Sequence, residues 1–399
     1  MSEWKECQIG DFIDVKHGFA FKGSHITDVK TLDVLVTPGN FHIGGGFKTN
    51  KFKYYNGEVP HDYILQENEI VVTMTDLSKE SDTLGYSAKI PKSVNGIRYL
   101  HNQRVGLVQF KNSIVEKNFF YWVMRTRDYQ GFIVGSASGT SIMHTSPTRI
   151  KEYRFLLPPL PEQKSIASVL SSLDDKIDLL HRQNETIEKM AETLFRKWFV
   201  EDADESWEEV ELKYFGEIIC GKTPPKAEKS YFDGSIPFIK IPDMHGKTFI
   251  FETQDSLTQL GMNFQKNKTL PPKSIIVSCI ATVGLVSMNA LLAQTNQQIN
   301  SVIPRKENYR YYIYLHMKCL YEELQAMASG GTATLNLNTS NFSSIRLPHP
   351  DEKILKKFSK KVEKLFDKIF HNQTQIQTLT QLRDTLLPKL MSGEVRVKM

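Results

Sequence analysis

The sequence predicts an α/β (α+β) chain of two repeats, in which two globular domains are separated by two long helices that pair as an antiparallel intramolecular coiled coil. Three observations predict it. Apolar residues recur at alternating spacings of three and four over about five heptads, beginning at Ile166. The same pattern returns 192 residues later in the same phase. Ahead of each stripe lie short β-branched runs bounded by glycine- and lysine-rich loops, the signature of strands in a globular unit.

The first stripe is Ile166, Leu170, Leu173, Ile177, Leu180, Asn184, Ile187, Ala191, Leu194 and Trp198. A helix over 161–199 rises ~1.5 Å per residue and so reaches roughly 55–60 Å, far more than one compact core needs. The second stripe is Phe358, Val362, Leu365, Ile369, Asn372, Ile376, Leu379, Arg383, Leu386 and Leu390. Asp175-Lys176-Ile177 recurs as Asp367-Lys368-Ile369, and Thr193-Leu194 as Thr385-Leu386. Each stripe is broken by one asparagine, Asn184 and Asn372. Antiparallel pairing about a pseudo-dyad near residue 182 brings the two face to face, an arrangement that costs stability but penalises other registers.

In chain order, the first globular domain spans 1–157, with strands expected at 34–37, 69–75 and 104–110. A short helix at 118–127 carries Phe119, Phe120, Tyr121 and Trp122, echoed by Tyr311, Tyr312, Ile313 and Tyr314; bulky residues at helical spacing read as core. The first spacer helix occupies 158–205 and ends in the acidic run Glu201-Asp202-Ala203-Asp204-Glu205, a solvated boundary. The second domain spans 206–347, with strands at 237–241, 274–279 and 299–303, and the second helix lies in 348–399.

Composition limits the function classes. At 40% hydrophobic and 24% charged, the 399 residues are ordinary for a chain folded in water; no apolar run of 18 residues occurs, and the polar, mixed-charge start is expected to carry no signal peptide. Cys7, Cys220, Cys279 and Cys319 lie far apart with no CxxC pairing, which reads as reduced thiols in a cytoplasm and no metal site. A net charge of +5 permits an anionic partner without demanding one.

Candidate binding residues lie in the loops. Lys16, Lys22, Asn40, Lys48, Lys51 and Lys53 interleave with aromatics and a glycine triplet at 44–46, as a surface does that neutralises phosphates while presenting flat groups to bases. Ser138, Gly139 and Thr140 form a small hydroxyl-bearing loop echoed by Gly330, Gly331 and Thr332, and such loops let a backbone approach a phosphate. Asn102-Gln103-Arg104 returns as Asn296-Gln297-Gln298; these side chains read base edges, and they also brace turns. Lys222, Thr223 and Lys226 complete the set in the second domain.

Enzymatic motifs do not survive inspection. Gly216 to Thr223 fits the GxxxxGK[ST] phosphate-loop expression, but Pro224-Pro225 follow at once and remove the helix-start donors the mechanism needs. The nearest approach to an amino-methyltransferase tetrapeptide is Leu157-Pro158-Pro159-Leu160, which lacks the polar first residue. No nuclease set of paired carboxylates and lysine, and no Ser/His/Asp set, stands at telling spacing. A non-catalytic chain with no cofactor of its own is expected.

Leu157-Pro158-Pro159-Leu160-Pro161-Glu162-Gln163-Lys164-Ser165-Ile166-Ala167, followed by a heptad helix, resembles the first conserved region of type I restriction-modification specificity subunits. Leu382 to Glu394 resembles the end of their second, and residues 1–157 and 206–347 resemble their target-recognition domains. The resemblance covers essentially the whole chain. It implies a chain that is not an enzyme, which reads a bipartite asymmetric double-stranded DNA site with a spacer set by the paired helices. It implies two modification subunits that use S-adenosylmethionine to methylate adenine, and restriction-translocase subunits driven by ATP with Mg. The second copy departs to Leu347-Pro348-His349-Pro350-Asp351-Glu352, which puts subunit contacts at that end in question. Two other readings remain open at this stage: a structural strut with a protein ligand, and a stand-alone methyltransferase or nuclease.

Overall fold

The computed structural model describes residues 4–397 except 50–51, 77, 79–81, 140–141 and 330–334. The chain divides into two compact units, Met1–Lys176 with Thr378–Met399, and Ile177–Gln377. The division passes through both long helices, Leu160–Arg196 and Glu352–Ser392. Composition places the helices outside the globular domains, whereas packing gives each unit one half of each helix. The physical reason is that each half-seam closes a core.

In unit one, a four-stranded antiparallel sheet runs in the order Ile13–His17, Val105–Phe110, Ile70–Thr73, Ser87–Lys89. A second sheet is built on the parallel pair Asp33–Val36 and Arg98–His101. The core joins Ile13, Val72 and Val108 to Phe119, Phe120 and Trp122 of the helix Lys117–Val123, and to Ile166, Leu170, Leu387 and Leu390. The start of one long helix thus shares a core with the end of the other, as antiparallel pairing requires.

Unit two repeats the plan. Its first sheet runs Gly216–Cys220, Ile299–Pro304, Ile275–Ser278, Val286–Asn289, with Phe249–Ile250 added at the edge. A parallel pair again supports the second sheet, with Phe238 opposite Gln294. Tyr311, Tyr312, Ile313 and Tyr314 of the helix Arg310–Cys319 are buried against Ala191, Phe195, Phe358, Val362, Phe366 and Ile369. Both aromatic clusters are therefore core. The stretch resembling a phosphate loop is the strand Gly216–Cys220, bonded to Ile299–Pro304, and no helix begins at Lys222.

Along the seam, Ile177, Leu180 and Ile369 are buried, while Leu173, Ile187, Leu365, Ile376 and Leu379 are half-buried, as the flanks of a two-helix stripe must be. Within unit two, Asn372 Nδ2 donates to Asn184 Oδ1 at 2.8 Å, and Asn372 is fully buried. The Pro-Glu-Gln motif is structural in unit one. Glu162 is 2% exposed and accepts from Arg396 Nη2 at 2.7 Å and Trp4 Nε1 at 3.1 Å. Gln163 Nε2 donates to the Pro158 carbonyl at 2.8 Å, and its Oε1 accepts from the Glu116 amide at 2.8 Å. Glu162 thus ties the helix start to Trp4 and Arg396, and Gln163 ties it to the segment that enters the helix Lys117–Val123. In the second copy Leu355 stands where Gln163 does, and the helix start is tied instead by Glu352, which accepts from Lys306 Nζ at 2.6 Å.

Candidate nucleic-acid interface

The two units carry one turn built twice. In unit one, strand Ile13–His17 runs into Gly18, where a Cβ would fall 2.1 Å from the Asn102 carbonyl oxygen. Only glycine permits so close a crossing. The Phe19 amide donates to His101 O at 2.8 Å, and the Gln103 amide to Phe19 O at 3.0 Å. In unit two, Gly221 follows strand Gly216–Cys220, a Cβ there would fall 2.1 Å from the Asn296 carbonyl oxygen, and the Lys222 amide donates to Thr295 O at 2.9 Å.

This geometry separates the roles inside each Asn-Gln pair. Asn102 Oδ1 accepts from the Arg104 amide at 3.1 Å, and Asn296 Oδ1 from the Gln298 amide at 3.2 Å, while their carbonyls accept from Val105 and Ile299. Both asparagines are buried, 8% and 7% exposed, and are spent as Asx braces of the turn. Gln103 and Gln297, one residue on, are exposed. Of the four residues singled out by sequence, only the glutamines present their side chains outward.

The unit-two surface gathers further groups around the turn. The Thr223 hydroxyl donates to Gln297 Oε1 at 2.7 Å. The Lys222 carbonyl accepts from Gln265 Nε2 at 2.7 Å, and Gln265 in turn bonds Gln294 at 2.8 Å, so two buried amides hold the loop from beneath. Lys222 Nζ lies 5.9 Å from the Phe264 ring, which is 48% exposed and 5.1 Å from the Tyr231 ring. Lys226 is exposed. Phe264 and Gln265 escape a linear reading because they lie 42 and 43 residues along the chain from Lys222. Leu260 and Phe264 are both exposed on one short helix, Gln259–Phe264, which only the folded chain reveals.

In unit one, Lys22 and Lys53 are exposed and Lys48 is half-buried. Lys16 Nζ donates to Asp62 O at 2.8 Å and sits 4.6 Å from the Tyr63 ring. Asn40 is fully buried: its Oδ1 accepts from the Thr37 amide at 3.0 Å and its Nδ2 donates to Lys48 O at 3.2 Å, which makes it a loop brace. Ser138 exchanges backbone bonds with His144 at 3.0 and 2.8 Å, and Gly139 turns the hairpin with φ +119°. Lys51, Thr140, Gly330, Gly331 and Thr332 lie outside the described residues.

Behind the glycine triplet stands a buried ionic cluster. Arg125 donates to Gly44 O at 2.8 Å, to Tyr121 Oη at 2.7 Å and to Asp174 Oδ2, while Asp174 Oδ1 accepts from Arg383 at 2.6 Å. Burial alone would raise the Asp174 carboxyl, but the two guanidiniums hold it below the usual carboxylate range. Beneath the unit-one turn, burial pushes the fully buried His101 down to about 4, and its Nε2 donates to Val105 O at 2.8 Å. Burial likewise pushes the Cys279 thiol up to about 11, and all four cysteines are free. Among the described residues, no group of three His, Cys, Asp or Glu side chains could hold a metal ion. None of their helices is long and apolar enough to cross a membrane.

Comparison with known proteins adds the following. The family described as the type I restriction modification DNA specificity domain matches residues 1–189 and again 204–381. The type I restriction enzyme HindI specificity subunit of Haemophilus influenzae is 32% identical over an alignment 481 positions long, covering 99% of this chain and 100% of that protein. The MjaIX specificity subunit of Methanocaldococcus jannaschii is 29% identical over 316 residues, 72% of each chain. The fold is similar to the crystal structure of a type I restriction-modification S subunit from M. genitalium, with a TM-score of 0.60 at 18% identity, covering 99% of this chain and 96% of that one.

Proposed function

The chain belongs to the type I restriction-modification DNA specificity family, and from that premise we propose that it reads a bipartite, asymmetric site on double-stranded DNA, one half per unit. The observation that supports this reading is the glycine-asparagine turn built twice, each time presenting an exposed glutamine, on surfaces that otherwise diverge: Lys16 with Tyr63 in one unit, Lys222 with Phe264 in the other. Two readers of different half-sites need a shared frame and unlike loops.

On this reading the paired helices set the spacer and seat two modification methyltransferase subunits, with restriction-translocase subunits joining the assembly in the cytoplasm. S-adenosylmethionine, ATP and Mg are then used by the partners. This chain supplies recognition and scaffolding and no catalytic group. The isolated chain is accordingly expected to bind neither ATP nor S-adenosylmethionine, and micromolar ATP binding abolished by Lys222→Ala would reverse that assignment.

The spacer is the experimental handle. Inserting one heptad in each helix, near Arg182 and near Thr374, keeps the seam in phase and adds ~10 Å, since each residue contributes ~1.5 Å. With ~10 base pairs per 34–36 Å turn, that corresponds to roughly three base pairs, which also rotate the far half-site by roughly 100°. Methylated-motif mapping should show a spacer longer by one to three base pairs, or no modification at all. A one-helix insertion should do worse because it breaks the register. An active double insertion that keeps the original spacer would show that these helices do not measure the gap.

A further inference from the structure

We infer that Gln103 and Gln297 are equivalent base-reading residues, and that each half-site therefore contains an adenine–thymine pair read at its adenine by the same turn. The inference rests on the proposed reading of the chain as a two-unit DNA reader, and goes beyond it in naming the residue and the base.

The turn does several things at once. Gly18 and Gly221 allow the strand end to cross the Asn carbonyl at a separation no side chain permits. The buried Asn side chain then locks the following peptide, so that the Gln Cα position is fixed by backbone hydrogen bonds on both sides. Each glutamine sits exposed at the crest of the turn. Its neighbours on the surface differ between units, with Lys222, Phe264 and Tyr231 found only in unit two. A feature kept where all around it changes serves something the two targets share.

An amide side chain offers one acceptor and two donors in a plane. That pattern matches the adenine edge in the major groove, where N6 donates and N7 accepts, and no other base presents that pair in that order. In unit two the Thr223 hydroxyl donates to Gln297 Oε1 at 2.7 Å. In this orientation the amide oxygen keeps its second lone pair, and both N–H groups remain for the base. The corresponding position in unit one, after Phe19, is Ala20, which has no hydroxyl. Gln297 is therefore preorganised and Gln103 is not, so discrimination at the unit-two adenine should be the sharper of the two.

The test uses the full complex with its modification subunits. Methylated motifs are mapped for the wild type, Gln103→Ala, Gln297→Ala and Thr223→Val. Each glutamine variant should relax a single position, an adenine in the wild-type motif, in its own half-site, with discrimination falling about 5- to 150-fold, the range of a bidentate pair. Thr223→Val should relax the same position as Gln297→Ala, less severely. A second measurement covers variants that lose modification altogether. Affinity is compared on duplexes carrying 7-deazaadenine, which lacks the N7 acceptor, at each motif adenine. The wild type should weaken at one adenine per half-site, and the glutamine variant should be indifferent there. If the wild type methylates a split motif but the variants relax nothing, or relax a guanine or cytosine, the inference is overturned while the bipartite reading stands. If the wild type gives no split motif, the bipartite reading itself falls.

Discussion

At equivalent repeat positions the two units fill one site with opposite chemistry. Unit one has Arg125, Asp174 and Arg383; the 192-residue shift relates these to Met317, Phe366 and Ala191 in unit two. The first three form a buried ionic cluster, and the second three lie in one apolar core, where Phe366 stacks on Tyr311 at 4.3 Å. Burying charges costs desolvation that Coulomb attraction only partly returns, so stability alone does not require the ionic version. The ionic cluster does something the apolar one does not: Arg125 reaches Gly44 and holds the glycine loop against the helix. Unit two fastens the comparable segment differently, through Gln373 Oε1 accepting from the Phe249 amide at 3.1 Å and Glu188 accepting from Thr248 at 3.2 Å. Each unit ties a loop to its helix halves. The tie is shared and its chemistry is free to vary.

The largest expected effect comes from breaking that cluster. Asp174→Ala strands two guanidiniums in the interior and should cost about 3–5 kcal/mol. Hydrogen exchange at strand Val105–Phe110 would localise the loss to unit one. Exchanging the whole set, Arg125→Met with Asp174→Phe and Arg383→Ala, should recover most of it, because it imports the solution unit two already uses. A triple variant as unstable as Asp174→Ala would break the equivalence. Acid works on the same cluster. The Asp174 carboxyl lies below its usual range, so its contribution is present above the unfolded value and is lost as pH falls through the folded one.

The next effect is also one of pH. His101 is pushed from 6.5 to about 4, so the unfolded chain takes up a proton that the folded chain refuses. Stability contributed by its neutral form should fall by roughly 3 kcal/mol as pH drops from 6.5 to about 4. Unit two has its own buried histidine, His316, pushed by burial to about 3, but it lies in the helix Arg310–Cys319 and Thr295 stands beneath the turn instead. His101→Gln should flatten the acid profile of amide exchange at Phe19 and Gln103 and leave that at Lys222 unchanged. Equal flattening in both turns would show that the histidine is not the cause.

Each unit also has a polar link across its helix halves: Asp174 to Arg383 in unit one, Asn184 to Asn372 in unit two. Buried asparagines trade stability for register, so Asn184→Leu with Asn372→Leu should stabilise unit two by roughly 1–2 kcal/mol. The single Asn372→Leu should gain less, since Asn184 then loses its partner. A double-mutant cycle in urea measures the coupling, and a coupling near zero would mean the two side chains meet without consequence.

What could be seen in the sequence follows the range of the physics. The heptad stripe, the 192-residue repeat and the buried aromatics at 119–122 and 311–314 are set by local periodicity, and the helices Leu160–Arg196 and Glu352–Ser392 fall close to where that periodicity puts them. The asparagine contact follows from the phase of two such stripes. The division of labour between Asn102 and Gln103 does not, because it depends on a glycine about 85 residues earlier crossing the turn. Arg383 reads as one more seam position; its ion partner becomes visible only once Asp174 and Arg125 are folded against it. Phe264 beside Lys222 is a tertiary neighbour, beyond any linear pattern.

The smallest effect separates the surface lysines. Counterion release assigns each phosphate-neutralising cation a salt slope of about 0.9, whatever the sequence it binds. Lys22, Lys53, Lys222 and Lys226 are exposed, so alanine at any of them should weaken binding to specific and unrelated duplexes alike and flatten the slope by about one counterion. Lys16 differs, because its ammonium is already engaged by the Asp62 carbonyl at 2.8 Å and the Tyr63 ring at 4.6 Å. Moving it onto a phosphate means giving up both, so Lys16→Ala should change the slope by clearly less than Lys22→Ala. Lys222 has a ring beside it too, but the 5.9 Å separation from Phe264 and its open surface leave the charge available. Titrations across a salt series with the assembled complex distinguish the two lysines directly. A Lys16→Ala slope change as large as that of Lys222→Ala would mean that the Asp62 contact yields to DNA, and that the two units hold phosphate in the same way after all.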